Sequence, residues 1–178
     1  MLLFAHLGLS LAAGRMIPRT SLAFLALGSM LPDIIDKPLG HLLYGTPAMG
    51  RIYAHTLLFL LLISAMALYL GDSRLGSLSG GVLSHLILDS MWASPVILLW
   101  PLLGPFPQAA SMDALSWMQA LLQGLRNPFI LIPECLGLAE TVYLLLEGRS
   151  SLAEKARALL PNGQLALAEG GWGKSGLD

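Results

Sequence analysis

Apolar residues run in stretches at 2–14, 20–31, 54–70, 78–94 and 128–146, parted by short polar or turn-rich breaks. Stretches of this kind predict helices, and the last approaches the ~20 residues that cross a hydrocarbon core. The first two are shorter and predict a hairpin of tilted or re-entrant helices around Arg15 to Arg19. Between Pro32 and Gly50 the chain turns polar, and the prolines and glycines of Pro32-Asp33-Ile34-Ile35-Asp36-Lys37-Pro38-Leu39-Gly40-His41 predict a loop. A third helix is expected from Arg51 to Leu70, and a fourth from about Leu78 to a bend or end at Pro95. Trp100 to Pro107 predicts a turn-rich loop with its Trp at a membrane interface. Ser111 to Gln123 predicts a short interfacial helix with Ser111 as N-cap. Pro128 to Leu146 predicts the last crossing.

The expected fold is therefore all-α, a polytopic membrane bundle of four to five membrane helices. Residues 1–148 form the embedded domain and 149–178 a soluble amphipathic segment with a disordered end. Composition strengthens this: 55% of the 178 residues are hydrophobic and 12% charged, which is not the balance of a water-soluble domain. The first segment has no basic residue ahead of its apolar part and holds His6, so an uncleaved helix is expected rather than a signal peptide. The formal net charge is −1, and no basic run interleaves with aromatics, which argues against a nucleic-acid partner. Cys135 is the single cysteine, so the chain has no internal disulfide and any metal must be held by His and carboxylate.

Within this apolar setting the segment Gly80 to Ser90 carries His85 and Asp89, four residues apart and so on one helix face. An ionisable pair there is costly unless it binds something or is paired. Antiparallel helices bring the start of the third helix, the end of the fourth, the Pro32 to Gly50 loop and the start of the first to one side. His6, Asp33 or Asp36, His55, His85 and Asp89 are then candidates for one recessed pocket. Such an imidazole and carboxylate set suits zinc, with manganese or iron as alternatives. A metal so placed suits phosphoester hydrolysis, generating hydroxide and stabilising charge on the phosphoryl oxygens.

The order of His6, then Gly28 to Asp33, Arg51 to Thr56, Gly81 to Asp89 and Leu99 to Pro101 resembles the membrane-bound metal-dependent hydrolase family over about the first 105 residues. That family is distantly similar to zinc-dependent phospholipase C and the P1-type nucleases. The resemblance implies His85 and Asp89 as metal ligands, with His6, Asp33 and His55 completing the site, and Asp33, His85 and Asp89 carrying the reaction. Gly50 and Ala54 depart from the His-Arg-Gly-x-Thr-His box of many relatives, and the acidic loop is one residue longer than usual, which leaves the role of Asp36 open. Asp36, Arg51 and Glu134 are candidates for supporting the pocket or holding substrate, which would be a phosphoester, a phospholipid among the options. His41 is read as solvated.

Lysines and arginines refine the placement. With a non-spanning Ser111 helix, Arg15, Arg19, Arg74, Arg149, Lys155, Arg157 and Lys174 fall opposite the pocket, against Lys37, Arg51 and Arg126 beside it. The positive-inside rule then puts the pocket on the extracytoplasmic side of the cell membrane. Two rival functions use the same residues: a cation transporter with a transient site, and a non-catalytic scaffold in which polar groups only fix helix packing.

Overall fold

The computed structural model describes residues 3–46, 48–108 and 113–159, which contain seven α-helices and no strand. Compact packing divides the chain into Met1–Thr141 and Val142–Asp178, and the first unit carries every residue of the candidate site. A π-helical turn, Ala5–Leu9, leads directly into α1, Ser10–Arg15. Then come α2, Leu22–Tyr44, α3, Leu57–Leu70, and α4, Ser73–Leu88. A 3₁₀ turn at Met91–Ala93 and the short α5, Pro95–Leu98, precede α6, Ala114–Gly124, and α7, Pro128–Leu159.

The helix α4 is the hub. It crosses α2 so closely that a Cβ on Gly81 would stand 2.3 Å from the Leu25 carbonyl oxygen, and one on Gly28 2.0 Å from that of Leu78. Small residues at such a crossing let backbones approach and gain dispersion contacts that lipid tails cannot supply. Against α3, Val82, Leu78 and Leu86 pack with Leu60 and Ile63 in the main apolar cluster. Three serines of α4 each address a different neighbour. Ser84 meets Ser10 of α1 at 2.5 Å, Ser77 accepts the Ser21 N–H ahead of α2 at 2.9 Å, and Ser79 meets Ser64 of α3 at 2.6 Å. Hydroxyls in an apolar helix are satisfied only across helices or by their own backbone, so these pairs fix the rotation of α4.

Along α7, Glu134 accepts the Phe4 N–H at 3.0 Å, Arg15 reaches Glu140 at 3.4 Å, and Gly8 and Gly137 meet so closely that a Cβ on either would overlap the other strand of backbone. The stretch Pro128–Gly148 is 21 residues long and largely unburied, and it is the one helix among the described residues that is long and apolar enough to cross a membrane. Leu57–Leu70 is apolar but shorter, so the four to five crossings expected from sequence reduce here to one helix of sufficient length. On α3 the outward residues Leu61, Leu62, Leu68 and Tyr69 are all exposed.

Several boundaries differ from those expected. Residues 33–41 are helical, inside α2, although Pro32 and Pro38 lie within it. Each proline removes one ladder bond and crowds the carbonyl four residues before it, and the buried Asp36 carboxylate, tying the same turns to the segment after Gly50, offsets that cost. The third helix begins at Leu57 rather than Arg51, because Thr56 turns extended and its Oγ1 accepts the Phe59 N–H at 3.1 Å. The fourth begins earlier, at Ser73, capped by Asp72, and stops at Leu88 ahead of Pro95, because Ser90 takes a left-handed φ of 53°. Asp113, not Ser111, caps α6 by accepting the Ser116 N–H, and Ser111 itself lies outside the described residues, as does the expected disordered end from Glu169.

Candidate metal centre

Four elements bring the site together. The π-helical turn presents His6, the middle of α2 presents Asp33 and Asp36, the turn ahead of α3 presents His55, and the last turn of α4 presents His85 with Asp89 as its C-cap. Arg51 arrives from the same turn as His55. His6, His55 and His85 are fully buried.

Asp36 organises the turn. Its carboxylate, also fully buried, accepts the backbone N–H groups of Ile52 at 2.8 Å, Ala54 at 2.9 Å and His55 at 3.1 Å. Its Oδ2 also lies 2.7 Å from His55 Nδ1. An oxygen that already accepts amide protons accepts here too, so His55 Nδ1 carries a proton and, in the neutral ring, Nε2 has the lone pair. Packing holds the turn from its other side: Ile52 and Met49 meet Phe106, while Tyr53 sets its edge against Trp100 and Phe106.

His85 is fixed in the same tautomer by a different partner. Its Nδ1 lies 2.7 Å from the Ser29 carbonyl oxygen, an obligate acceptor. The consequence is unusual: the Nε2 atoms of His55 and His85, both left as lone pairs, stand 3.1 Å apart. Around them Asp33 Oδ1 is 3.7 Å from His55 Nε2 and 3.9 Å from His85 Nε2, and Asp89 Oδ2 is 3.8 Å from His55 Nε2. His6 stacks on His85 with ring centroids 4.1 Å apart, and its Nε2 lies 3.3 Å from Asp89 Oδ1. That approach lacks hydrogen-bond geometry, and both buried His6 nitrogens have no hydrogen-bond partner. Two donor sets result, His6 with His85 and Asp89, and Asp33 with His55 and His85, each with its ligand atoms within 4.8 Å of one another. Either set is able to hold a divalent ion, and His85 belongs to both.

Two cations guard the outer side. Lys37 reaches Asp33 Oδ2 at 2.6 Å, one helical turn along α2, and Arg51 reaches Asp89 Oδ2 at 2.9 Å. A cavity of about 490 Å³ opens here, with Asp33, Lys37, Arg51 and Asp89 at its polar end and Met49, Ile97, Trp117 and Leu121 among its apolar walls. Its size is that of a small-molecule pocket. Glu134, expected to support the pocket, meets the backbone of the first turn instead, and its Oε1 is buried without a partner. His41 is exposed near the end of α2. Lys37 was not singled out by sequence reasoning, although Asp33-x-x-x-Lys37 has ion-pair spacing once a helix is assumed.

Among the described residues, helices alone, one apolar segment of crossing length and exposed aliphatic faces around a buried polar cluster point to a helical membrane protein. The chain belongs to the family described as YdjM inner membrane protein, whose model matches residues 1–153. Its place is the inner membrane, and the family description names no reaction. No curated protein and no solved structure matches the chain.

Proposed function

We propose that the protein is a membrane-embedded metal-dependent hydrolase acting on a phosphoester, with a divalent ion, zinc foremost, held by His6, Asp33, His55, His85 and Asp89. The observation that carries this is the pair of facing Nε2 lone pairs of His55 and His85. Two buried lone pairs 3.1 Å apart repel each other unless a proton or a metal ion lies between them, and a site with carboxylates on both sides suits the metal ion. Two nitrogens on one tetrahedral zinc ion stand about 3.3 Å apart, given Zn–N bonds of ~2.0–2.1 Å. The His6 nitrogens, buried without a hydrogen bond, add to it.

An ion in such a site polarises a phosphoryl oxygen and lowers the pKa of a water. The chain's own residues do the rest. Asp36 orients His55 and selects the tautomer whose Nε2 carries the lone pair, the Ser29 carbonyl does the same for His85, and burial of all three imidazoles excludes competing water. Asp33 and Asp89, at the cavity, are the carboxylates within reach of a reacting group. In this reading α7 crosses the bilayer, and α2, α3 and α4 enter it around the site in a multi-pass arrangement. The cavity faces the extracytoplasmic side, since Arg15, Arg19 and Arg74 lie at the opposite helix ends.

Elemental mass spectrometry on detergent-purified wild type, His85→Ala and Asp89→Ala, each checked for folding by circular dichroism, tests the centre. Near-stoichiometric metal in the wild type and its loss from folded variants is the expected result. A wild type that takes up neither zinc, manganese nor iron would overturn the centre. Metal-loaded protein that releases no product from phospholipids or generic phosphodiesters would overturn the reaction.

A further inference from the structure

The cavity is built in two chemically distinct halves. At the inner end Lys37 and Arg51 each touch one carboxylate and are otherwise half exposed, so the ammonium and the guanidinium keep donors to spare. A divalent ion beside them would add two positive charges there. The polar end then favours an anion with several acceptor oxygens, for which a guanidinium fork and a lysine are suited. The outer wall is apolar, and two of its side chains, Trp117 and Leu121, come from α6.

The helix α6 continues that wall outward. At about 100° per residue, Trp117, Leu121, Met118, Leu122 and Leu115 fill one continuous arc of about 160°, and Ser116, Gln119 and Gln123 fill the opposite side. Trp117 and Leu121 are half-buried at the cavity, while Leu115, Met118 and Leu122, next along the same arc, are more than half exposed. An apolar path therefore runs without a polar break from the cavity to the outer surface of α6. A water-borne substrate has no use for such a path, whereas an acyl chain is covered by it at roughly 25 cal/mol per Å² of apolar surface.

We infer that the substrate is a bilayer-resident amphiphile with a phosphate head, its head gripped by Lys37 and Arg51 and its chain laid along Trp117 and Leu121 of α6. This rests on the hydrolase reading and adds to it which residues choose the substrate and from which phase it comes.

Native mass spectrometry of the detergent-solubilised protein tests it, because one spectrum reads bound lipid and bound zinc separately. The probes are a dioleoyl phosphonate analogue of phosphatidic acid, whose C–P bond resists hydrolysis, dioleoylglycerol with the same chains and no head, and methylphosphonate with the head and no chain. The phosphonate lipid should bind at least about tenfold more tightly than either of the others. Lys37→Met with Arg51→Met should weaken it by about tenfold or more, in line with the loss of charge-assisted hydrogen bonds. Trp117→Ala should weaken the phosphonate lipid and leave methylphosphonate unchanged; should the double variant fail to fold, the single Lys37→Met and this variant carry the test. Methylphosphonate binding as tightly as the lipid would overturn the inference in favour of a free phosphate. Unchanged lipid binding in the cation variants would overturn the head grip. Zinc missing from the wild-type spectrum would count against the metal centre and not against the grip.

Discussion

Replacing Asp36 by Asn keeps the shape of the most connected side chain in the site and changes only its charge and one acceptor. Oδ2 takes the Ile52 and His55 amides and His55 Nδ1, while Oδ1 takes the Ala54 amide at its shorter distance of 2.9 Å. If the amide oxygen takes the Oδ2 position, the new NH₂ points at the Ala54 N–H. One hydrogen bond is then lost and two donors face each other in a fully buried place, which costs about 1–3 kcal/mol. The remaining bonds fall from charge-assisted to neutral, roughly halving each. Together these predict a loss of about 3–5 kcal/mol of stability. His55 in turn loses the carboxylate that raises the basicity of its Nε2, and partners of this kind are worth about 10–100-fold in metal affinity. Thermal unfolding in detergent and zinc competition against a chromophoric chelator read the two effects separately. An Asp36→Asn protein with wild-type melting and wild-type zinc affinity would refute both the charge assignment of the clamp and the tautomer argument for His55.

Other expectations follow from particular contacts. Gly81→Leu places side-chain atoms where the α2 backbone already lies, so α2 and α4 must part, and a destabilisation of about 1–3 kcal/mol or more should appear as a lowered melting temperature; an unchanged melting point would contradict the close crossing. Glu134→Gln retains an acceptor for the Phe4 N–H and should change stability by less than about 1 kcal/mol, whereas Glu134→Leu leaves that amide unpaired and should cost about 1–3 kcal/mol, with zinc lost from the variant as His6 loses its anchor. Denaturant titration compares the two, and equal stabilities would dismiss the contact. Cys135 is exposed on α7 within the crossing-length stretch, so a membrane-impermeant maleimide should leave it unmodified in intact membranes and modify it after solubilisation in SDS. Rapid modification in intact membranes would place this part of α7 in water.

The juxtaposition of His85 and Asp89 is a local matter of helix period, readable wherever a helix is assigned. The approach of His55 needed only the antiparallel order of α3 and α4. What sequence patterning misses is set by contacts far apart in the chain. Pro32 and Pro38 read as loop signals, yet α2 continues through both, since tertiary bonds through Asp36 outweigh two missing ladder bonds. For the same reason Asp36 reads as an ambiguous acid in sequence and emerges as the fixed point of a turn 16 residues further on. The serines at 77, 79 and 84 carried a usable signal, since three hydroxyls in one apolar helix need partners, but their targets depend on which helix lies on which side. The number of crossings was read from hydropathy alone. Length and polarity together remove most of those segments as complete spans, because the polar cluster occupies the second half of α2 and α4 stops at Leu88.

The serines of α4 also set an order of assembly. The chain emerges from the ribosome N-terminus first, so α1, α2 and α3 are made before the helix that each of them is bonded to. Until Ser79, Ser84 and His85 have appeared, the hydroxyls of Ser64 and Ser10 and the ring of His6 lack their α4 partners. The Phe4 amide waits longer still, until Glu134 is made. The first three helices thus lack their cross-helix partners on α4, and the arrival of the fourth closes the bundle around its site. A nascent chain arrested just before residue 77 should therefore remain open to protease and to solvent exchange where one arrested well past residue 89 is protected.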